Sequence, residues 1–411
     1  MQLDGRTLLG DGQISGAALL PQPGGALHLL PHAELTWQHG RFTAIRALPS
    51  PPPTDAPLLL PGFVDLHCHW PQAHVRGQFA GQLLPWLRDA IWPAEAAFAD
   101  LSLARQHVRQ FLAAITRAGT CAGLFFGSPF AESTPVFLEE TPRGFLEGPA
   151  IMSQNAPKAL LRPAQETLAM LHALHSRRVA IAPRFAPNVD LAGLRACGDA
   201  ARATGWPVQS HLAENREEIA WVRQLFPDAR DYTDVYDAAG LLGPRTVLAH
   251  GVHLADRELA RLAATRTLVA HCPTSNEALG SGRMPIERLW AAGVPWVLAT
   301  DVGAGPSLSQ LHVMQRFLSV HAGHAPVRAG EALARATVIP GAWLAQFDPQ
   351  LAGLGTLAVG APAHLVAVTR PVGAPDDPEL LLQALLAAGH GSLEALPTRV
   401  TLWGTVVSQA Q

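Results

Sequence analysis

Residues 58–69 read LLLPGFVDLHCH: an apolar run, a Pro-Gly turn, a second apolar run, and then His67 and His69 on either side of Cys68. On a strand, side chains two apart face the same side, so both imidazoles point into one site. That arrangement suits two nitrogen ligands on a single divalent ion. Alternating histidines also occur on solvated strand edges, and the pair alone does not decide between the two. Asp65 just before it, and its place after a turn at the start of the first strand of a new pattern, favour the metal.

That pattern recurs downstream. Short apolar strands alternate with longer helical stretches, as expected of a parallel sheet. Several strands end on a residue able to do chemistry. VAIAPRF (179–185) ends near Arg184, WPVQSHLAE (206–214) on His211 and Glu214, and RTVLAHG (245–251) on His250. TLVAHCP (267–273) ends on His271, and VPWVLATD (294–301) on Asp301. A (β/α)8 barrel collects its active site in this way from the C-terminal ends of different strands, over roughly 250 residues. A doubly wound sheet would concentrate its site at one switch point and carry a glycine-rich phosphate loop, and no GxGxxG is present. The expected fold is therefore α/β: a TIM-like (β/α)8 barrel over residues 58–349. Short alternating segments at both ends (1–57 and 350–411), such as AELTWQHGRFTAI and VTLWGTVV, are expected to pair into a small β-sandwich domain.

Bulk properties narrow the function. The 411 residues are 48% hydrophobic and 15% charged, enough for a large core. A net charge of −3 gives no footprint of nucleic-acid binding and no polybasic membrane patch. Only Lys158 is a lysine; every other basic residue is arginine. Cys68, Cys121, Cys197 and Cys272 form no CxxC pair, which argues against a disulfide scaffold or a thiolate zinc site. The opening MQLDGRTLLGDG lacks the basic start and apolar stretch of a secretion signal. No apolar run approaches the roughly 18 residues that span a bilayer. The expectation is a cytoplasmic protein without membrane or nucleic-acid partners.

Each remaining strand-end residue has a bland reading. Glu214 is placed to cap the helix that follows it, and His250 and His271 can be hydrogen-bonded core histidines. Asp301 after an apolar strand is costly unless paired, capping or bound to metal. Together they fit zinc hydrolysis. Histidines and a carboxylate hold the ion with room for water, whose pKa falls to around 7, and a nearby carboxylate shuttles protons. Glu214 and Asp301 are the natural pair. PHAE (31–34) imitates the H-x-E of another zinc-deaminase class, but no P-C-x-x-C follows, and there is no G-x-S-x-G elbow.

PGFVDLHCHWPQ, LLPWLRDAIWPAE, APRFAP, SHLAENREEIAWV, LFPDARDYTDVYD, LAHGVHL, AHCPTSNEALGSG and TDVGAG together resemble the guanine deaminases of the amidohydrolase superfamily, from about residue 58 to 320. The resemblance implies one Zn²⁺ per subunit held by His67, His69, His211 and Asp301. Asp301 would also accept the water's proton, and Glu214 would protonate the ring nitrogen beside the attacked C2 and help expel ammonia. His250, with His271 as a weaker candidate, would orient the water or the tetrahedral intermediate. Gln72 and Arg184 would hydrogen-bond the base, with Phe185 beside it, and His211, Glu214 and Asp301 would also touch the substrate. A small-molecule purine, guanine converted to xanthine, is the substrate so implied, in purine catabolism and in a homodimer. Met152–Asn155 reads MSQN where the family tends to have MDRN, and Ser128–Gln165 departs most; if that segment lines the pocket, substrate identity is affected. The competing expectations are a deaminase of 8-oxoguanine or a pterin, a triazine-type amidohydrolase, and a metal-free binding protein. The last predicts missing ligands, whereas every expected ligand type is present.

Overall fold

Eight short strands, nearly every residue of them buried, run parallel: β5 (Phe63–His69), β6 (Thr120–Gly127), β7 (Phe145–Ile151), β8 (Ala182–Pro183), β9 (Val208–Leu212), β10 (Thr246–His250), β11 (Leu268–His271) and β12 (Trp296–Leu298). Burial on both faces explains why they read as continuous apolar runs rather than alternating ones. In this computed structural model, which describes residues 9–79, 81–388 and 392–409, they form two sheets of four, β5-β6-β7-β8 and β9-β10-β11-β12. A parallel bridge between Ile181 and Val208 joins the sheets on one side. On the other, Asp301 N donates to His67 O at 2.9 Å and His69 N donates to Val302 O, curling the eight strands into the expected barrel. This second seam carries three of the residues singled out from the sequence.

Helices cover the strands for ordinary reasons. Leu101–Arg117, between β5 and β6, starts where the Asp100 carboxylate accepts from the backbone of Ser102 and Leu103. Its inward stripe is Ala104, Val108, Phe111, Leu112 and Ile115.

The two chain ends meet as expected, as one continuous seven-stranded sheet. The N-terminal part supplies β1 (Gly12–Pro21), β2 (Leu27–Gln38), β3 (Arg41–Ala47) and β4 (Leu58–Pro61). The C-terminal part supplies β13 (Leu365–Val368), β14 (Pro397–Leu402) and β15 (Thr405–Gln409). The order is β15-β14-β13-β4-β1-β2-β3. β4 falls inside the span assigned to the barrel, yet it pairs with β1 and β13. The sequence hides this because the apolar run continues through the Pro61-Gly62 turn where the chain changes sheets. Alternation sorts the faces: Ala18, Leu35, Trp37, Leu59 and Leu365 pack together on one side, while Ala17, Leu19, Leu58, Leu60 and Val366 join the large core shared with the barrel helices. The helix Pro378–Ala388 also packs on the barrel side, against Ala329–Ala336 and Gln310–His321. Most of the segment read for a secretion signal, residues 1–8, lies outside the described residues. Among the described residues no helix is long and apolar enough to cross a membrane.

Candidate active site

The C-terminal ends of the barrel strands converge on one cleft, lined among others by His69, Gln72, Arg184, Phe185, His211, Glu214, His250 and Asp301. His67 and His69 close β5, and the single helical turn Trp70–Gln72 follows at once and swings Gln72 over the cleft. His211 lies on β9, His250 ends β10, and Asp301 lies just beyond β12. His250 and Asp301 hold positive φ angles of 72° and 49°. For residues other than glycine this backbone conformation costs on the order of 1–3 kcal/mol each, and it is sustained where surrounding structure aims a side chain for use.

Nitrogen or oxygen atoms of His67, His69, His211 and Asp301 all lie within 4.8 Å of one another. Asp301 Oδ1 is 3.2 Å from His67 Nε2 and 3.3 Å from His69 Nε2. His211 Nδ1 donates to the Arg184 carbonyl at 2.5 Å, so its Nε2 carries the lone pair, 3.2 Å from His69 Nε2. Both nitrogens of fully buried His67 lack a hydrogen-bond partner. Burial lowers His69 to about 3 and His211 well below its ordinary value, keeping both rings neutral, the form a metal requires. Burial works against the Asp301 carboxylate, but contacts with His67 and His69 hold it well below the usual range. Three imidazoles, two of them held neutral by burial, converging with one carboxylate within 4.8 Å fit a divalent cation.

Beside this group, Glu214 Oε1 accepts from Ser281 Oγ at 2.9 Å, and its Oε2 lies 3.5 Å from His250 Nε2. Burial, reinforced by the negative charge of Asp301, raises Glu214 to about 8. His250 Nδ1 bonds Asn276 Oδ1 at 2.9 Å, and its Nε2 lies 3.8 Å from Asp301 Oδ2. Cys272 also falls within 4.8 Å of His250 and Asp301; burial pushes its thiol up, which disfavours the thiolate.

Across the cleft, Leu83, Trp86, Leu87, Phe185, Leu279 and Ala304 form an apolar cluster, with Gln72 and Arg184 as its polar contacts. Behind those two stands a residue that no sequence reading singled out. Glu95 accepts from Gln72 Nε2 at 2.9 Å and from Arg184 Nη1 at 2.5 Å. Two other expectations fall outside the cleft. His271 turns away to His321, Nε2 to Nε2 at 2.9 Å. None of the cleft-lining residues comes from 128–165; in MSQN, Ser153 instead bonds Asp190 at 2.6 Å.

The model of the amidohydrolase family matches residues 58–389. The chain belongs to the amidohydrolase family. Members of this family are metal-dependent, in keeping with the donor set just described. Among curated proteins, a probable guanine deaminase of Deinococcus radiodurans is 42% identical over 282 residues, 64% of this chain and 63% of that protein. The guanine deaminase of Escherichia coli is 36% identical over 276 residues, 64% of the chain and 62% of that protein. The matched stretch thus spans less than two thirds of these relatives. In three dimensions this amidohydrolase superposes on a solved structure of E. coli guanine deaminase with a TM-score of 0.86 at 26% identity, covering 98% of this chain and 99% of that one. A triazine hydrolase from Arthrobacter matches at a TM-score of 0.82 and 17% identity, a likeness of fold alone.

Proposed function

We propose that this amidohydrolase deaminates guanine hydrolytically, giving xanthine and ammonia. The observation that carries the reading is the pairing of a buried metal-type donor set with a Gln72–Glu95–Arg184 group on an apolar slot. A neutral planar base with donors and acceptors on its edge needs a few fixed polar partners. The relatives named guanine deaminase support the same substrate.

His67, His69, His211 and Asp301 hold one ion per subunit, zinc being the metal their chemistry suits. When bound, the ion supplies Lewis acidity and lowers the pKa of a water molecule. Asp301 takes up the proton lost by the attacking water, through the Oδ2 that faces His250. Glu214, protonated at neutral pH by its burial, delivers a proton to the ring nitrogen beside C2 and then assists departure of ammonia. His250 Nε2 accepts a hydrogen bond that orients the attacking oxygen. Gln72 and Arg184 bind the polar edge of the base, Phe185 lies against its ring, and the apolar wall excludes water. The same reading places the work in the barrel, with the chain ends (1–57 and 350–411), joined by β4, as a β-domain packed on it, in a cytoplasmic homodimer serving purine catabolism.

The test is ammonia release from guanine, 8-oxoguanine, isoxanthopterin, adenine and cytosine. Guanine is expected to turn over best; equal or better turnover of another base moves the assignment to that base.

A further inference from the structure

Glu95 stands behind the two groups that meet the base. It lies on the short helix Trp92–Ala96, is 1% exposed, and gives one oxygen to Gln72 and the other to Arg184. Two consequences follow from those contacts. The first concerns orientation. A glutamine amide can turn to exchange its oxygen and nitrogen, but here its oxygen would then face a carboxylate, acceptor against acceptor. Gly303 N holds the observed orientation from the other side, donating to Gln72 Oε1 at 3.3 Å. What Gln72 offers a ligand is therefore one remaining N–H and one remaining lone pair.

The second consequence concerns charge. Arg184 is 3% exposed, so water does little to screen its guanidinium. Glu95 cancels that charge at contact distance. An arginine alone in the cleft would attract any anion of suitable shape; an arginine paired with a carboxylate donates hydrogen bonds without that preference.

We propose that Glu95 is a specificity-determining positioning residue: it fixes the amide of Gln72 and neutralises Arg184, so the cleft selects uncharged heterocycles and does not retain anionic ones. The inference rests on the reading of guanine as substrate. It extends that reading to product release, because xanthine sheds a ring proton near neutral pH, and a cleft with an uncompensated arginine would hold the resulting anion.

Glu95→Gln tests this with the metal-loaded full-length protein. The variant keeps the shape and an acceptor for one partner, but leaves the charge of Arg184 unbalanced. KM for guanine is expected to rise about tenfold, with kcat changed less. Glu214, raised to about 8, and Asp301 face the same cleft in both proteins, so the comparison is with the wild type: relative to it, inhibition by xanthine is expected to tighten by about tenfold or more between pH 6 and pH 9, given the strength of an unscreened charge a few ångströms away. The double variant Glu95→Gln/Arg184→Gln removes both charges. It is expected to restore the wild-type pH dependence of xanthine inhibition while guanine binding stays weak, a pattern that a merely structural role would not produce. Identical pH profiles for xanthine in wild type and Glu95→Gln overturn the proposal. Should Glu95→Gln fail to fold, Arg184→Gln takes its place: it leaves the Glu95 carboxylate uncompensated, so xanthine inhibition is expected to weaken more steeply with pH than in the wild type, and a profile identical to the wild type's overturns the proposal. Ammonia release by the wild type reports separately on the substrate. A wild type inactive on guanine sinks the substrate reading, whereas an active wild type beside an indifferent Glu95→Gln sinks only this inference.

Discussion

Glu214→Gln is the sharpest perturbation of the proposed chemistry, because it changes one transferable proton and little else. The side chain is 2% exposed, accepts from Ser281 Oγ at 2.9 Å, and approaches His250 Nε2 at 3.5 Å. Glutamine is close in shape and retains an oxygen for Ser281, so the fold and the four-residue donor set should survive. Burial and the charge of Asp301 raise the native carboxyl to about 8. Near neutral pH it is therefore held mostly in its protonated form, poised as an acid. An amide cannot deliver that proton. Positioned acid–base groups contribute about 100- to 10,000-fold, so kcat and kcat/KM should fall together by that factor, equivalent to about 3–5.5 kcal/mol of barrier. The assay is steady-state ammonia release from guanine, with metal content measured on the same preparations. In the wild type, activity carried by the protonated carboxyl declines as pH rises past about 8; in the variant that limb should disappear. Activity within tenfold of wild type at equal metal content would refute the assignment and place the proton donor elsewhere.

Asp301→Asn removes the only carboxylate of the donor set. It should abolish stable metal binding, and with it the zinc-dependent rise in thermal stability expected of the wild type, about 2.7 kcal/mol at a hundredfold excess over Kd; calorimetry with and without added zinc reads both, and an undiminished rise in the variant would remove Asp301 from the site. Glu147 makes a second, unrelated prediction. It is fully buried, accepts from Trp70 Nε1 at 3.4 Å, leaves Oε2 unpartnered, and is raised by burial from 4.5 to about 7. A raised native pKa contributes stability that is complete below about 4.5 and is lost as pH rises through about 7, at most about 3 kcal/mol. Glu147→Gln does not ionise, so its stability relative to wild type should climb across that window. Urea unfolding at pH 5 and 8.5 measures the change, and an equal difference at both pH values would contradict it.

The barrel was legible because its chemistry-bearing residues sit where apolar runs stop, and the end sheet because its strands alternate. What escaped depended on contacts distant in sequence. Glu95 is separated by 23 residues from Gln72 and by 89 from Arg184. Its one local signal was a carboxylate inside the aromatic-rich LLPWLRDAIWPAE, a costly place for an unpaired acid. His271 followed the same strand-end rule as His250, but the rule gives depth along the barrel and not the direction of the side chain; His321, from a helix 50 residues on, captures it. The departure at MSQN carried less weight than its sequence suggested, since Ser153 pairs with Asp190 away from the cleft.

The most direct test is conversion of guanine to xanthine by purified protein stripped of metal and then titrated with zinc. The account predicts no turnover in stripped protein, a rise in kcat/KM with added zinc that saturates at one ion per chain, and xanthine and ammonia formed in equal amounts. Guanine left intact at full zinc loading, or turned over equally well by stripped protein, would contradict it.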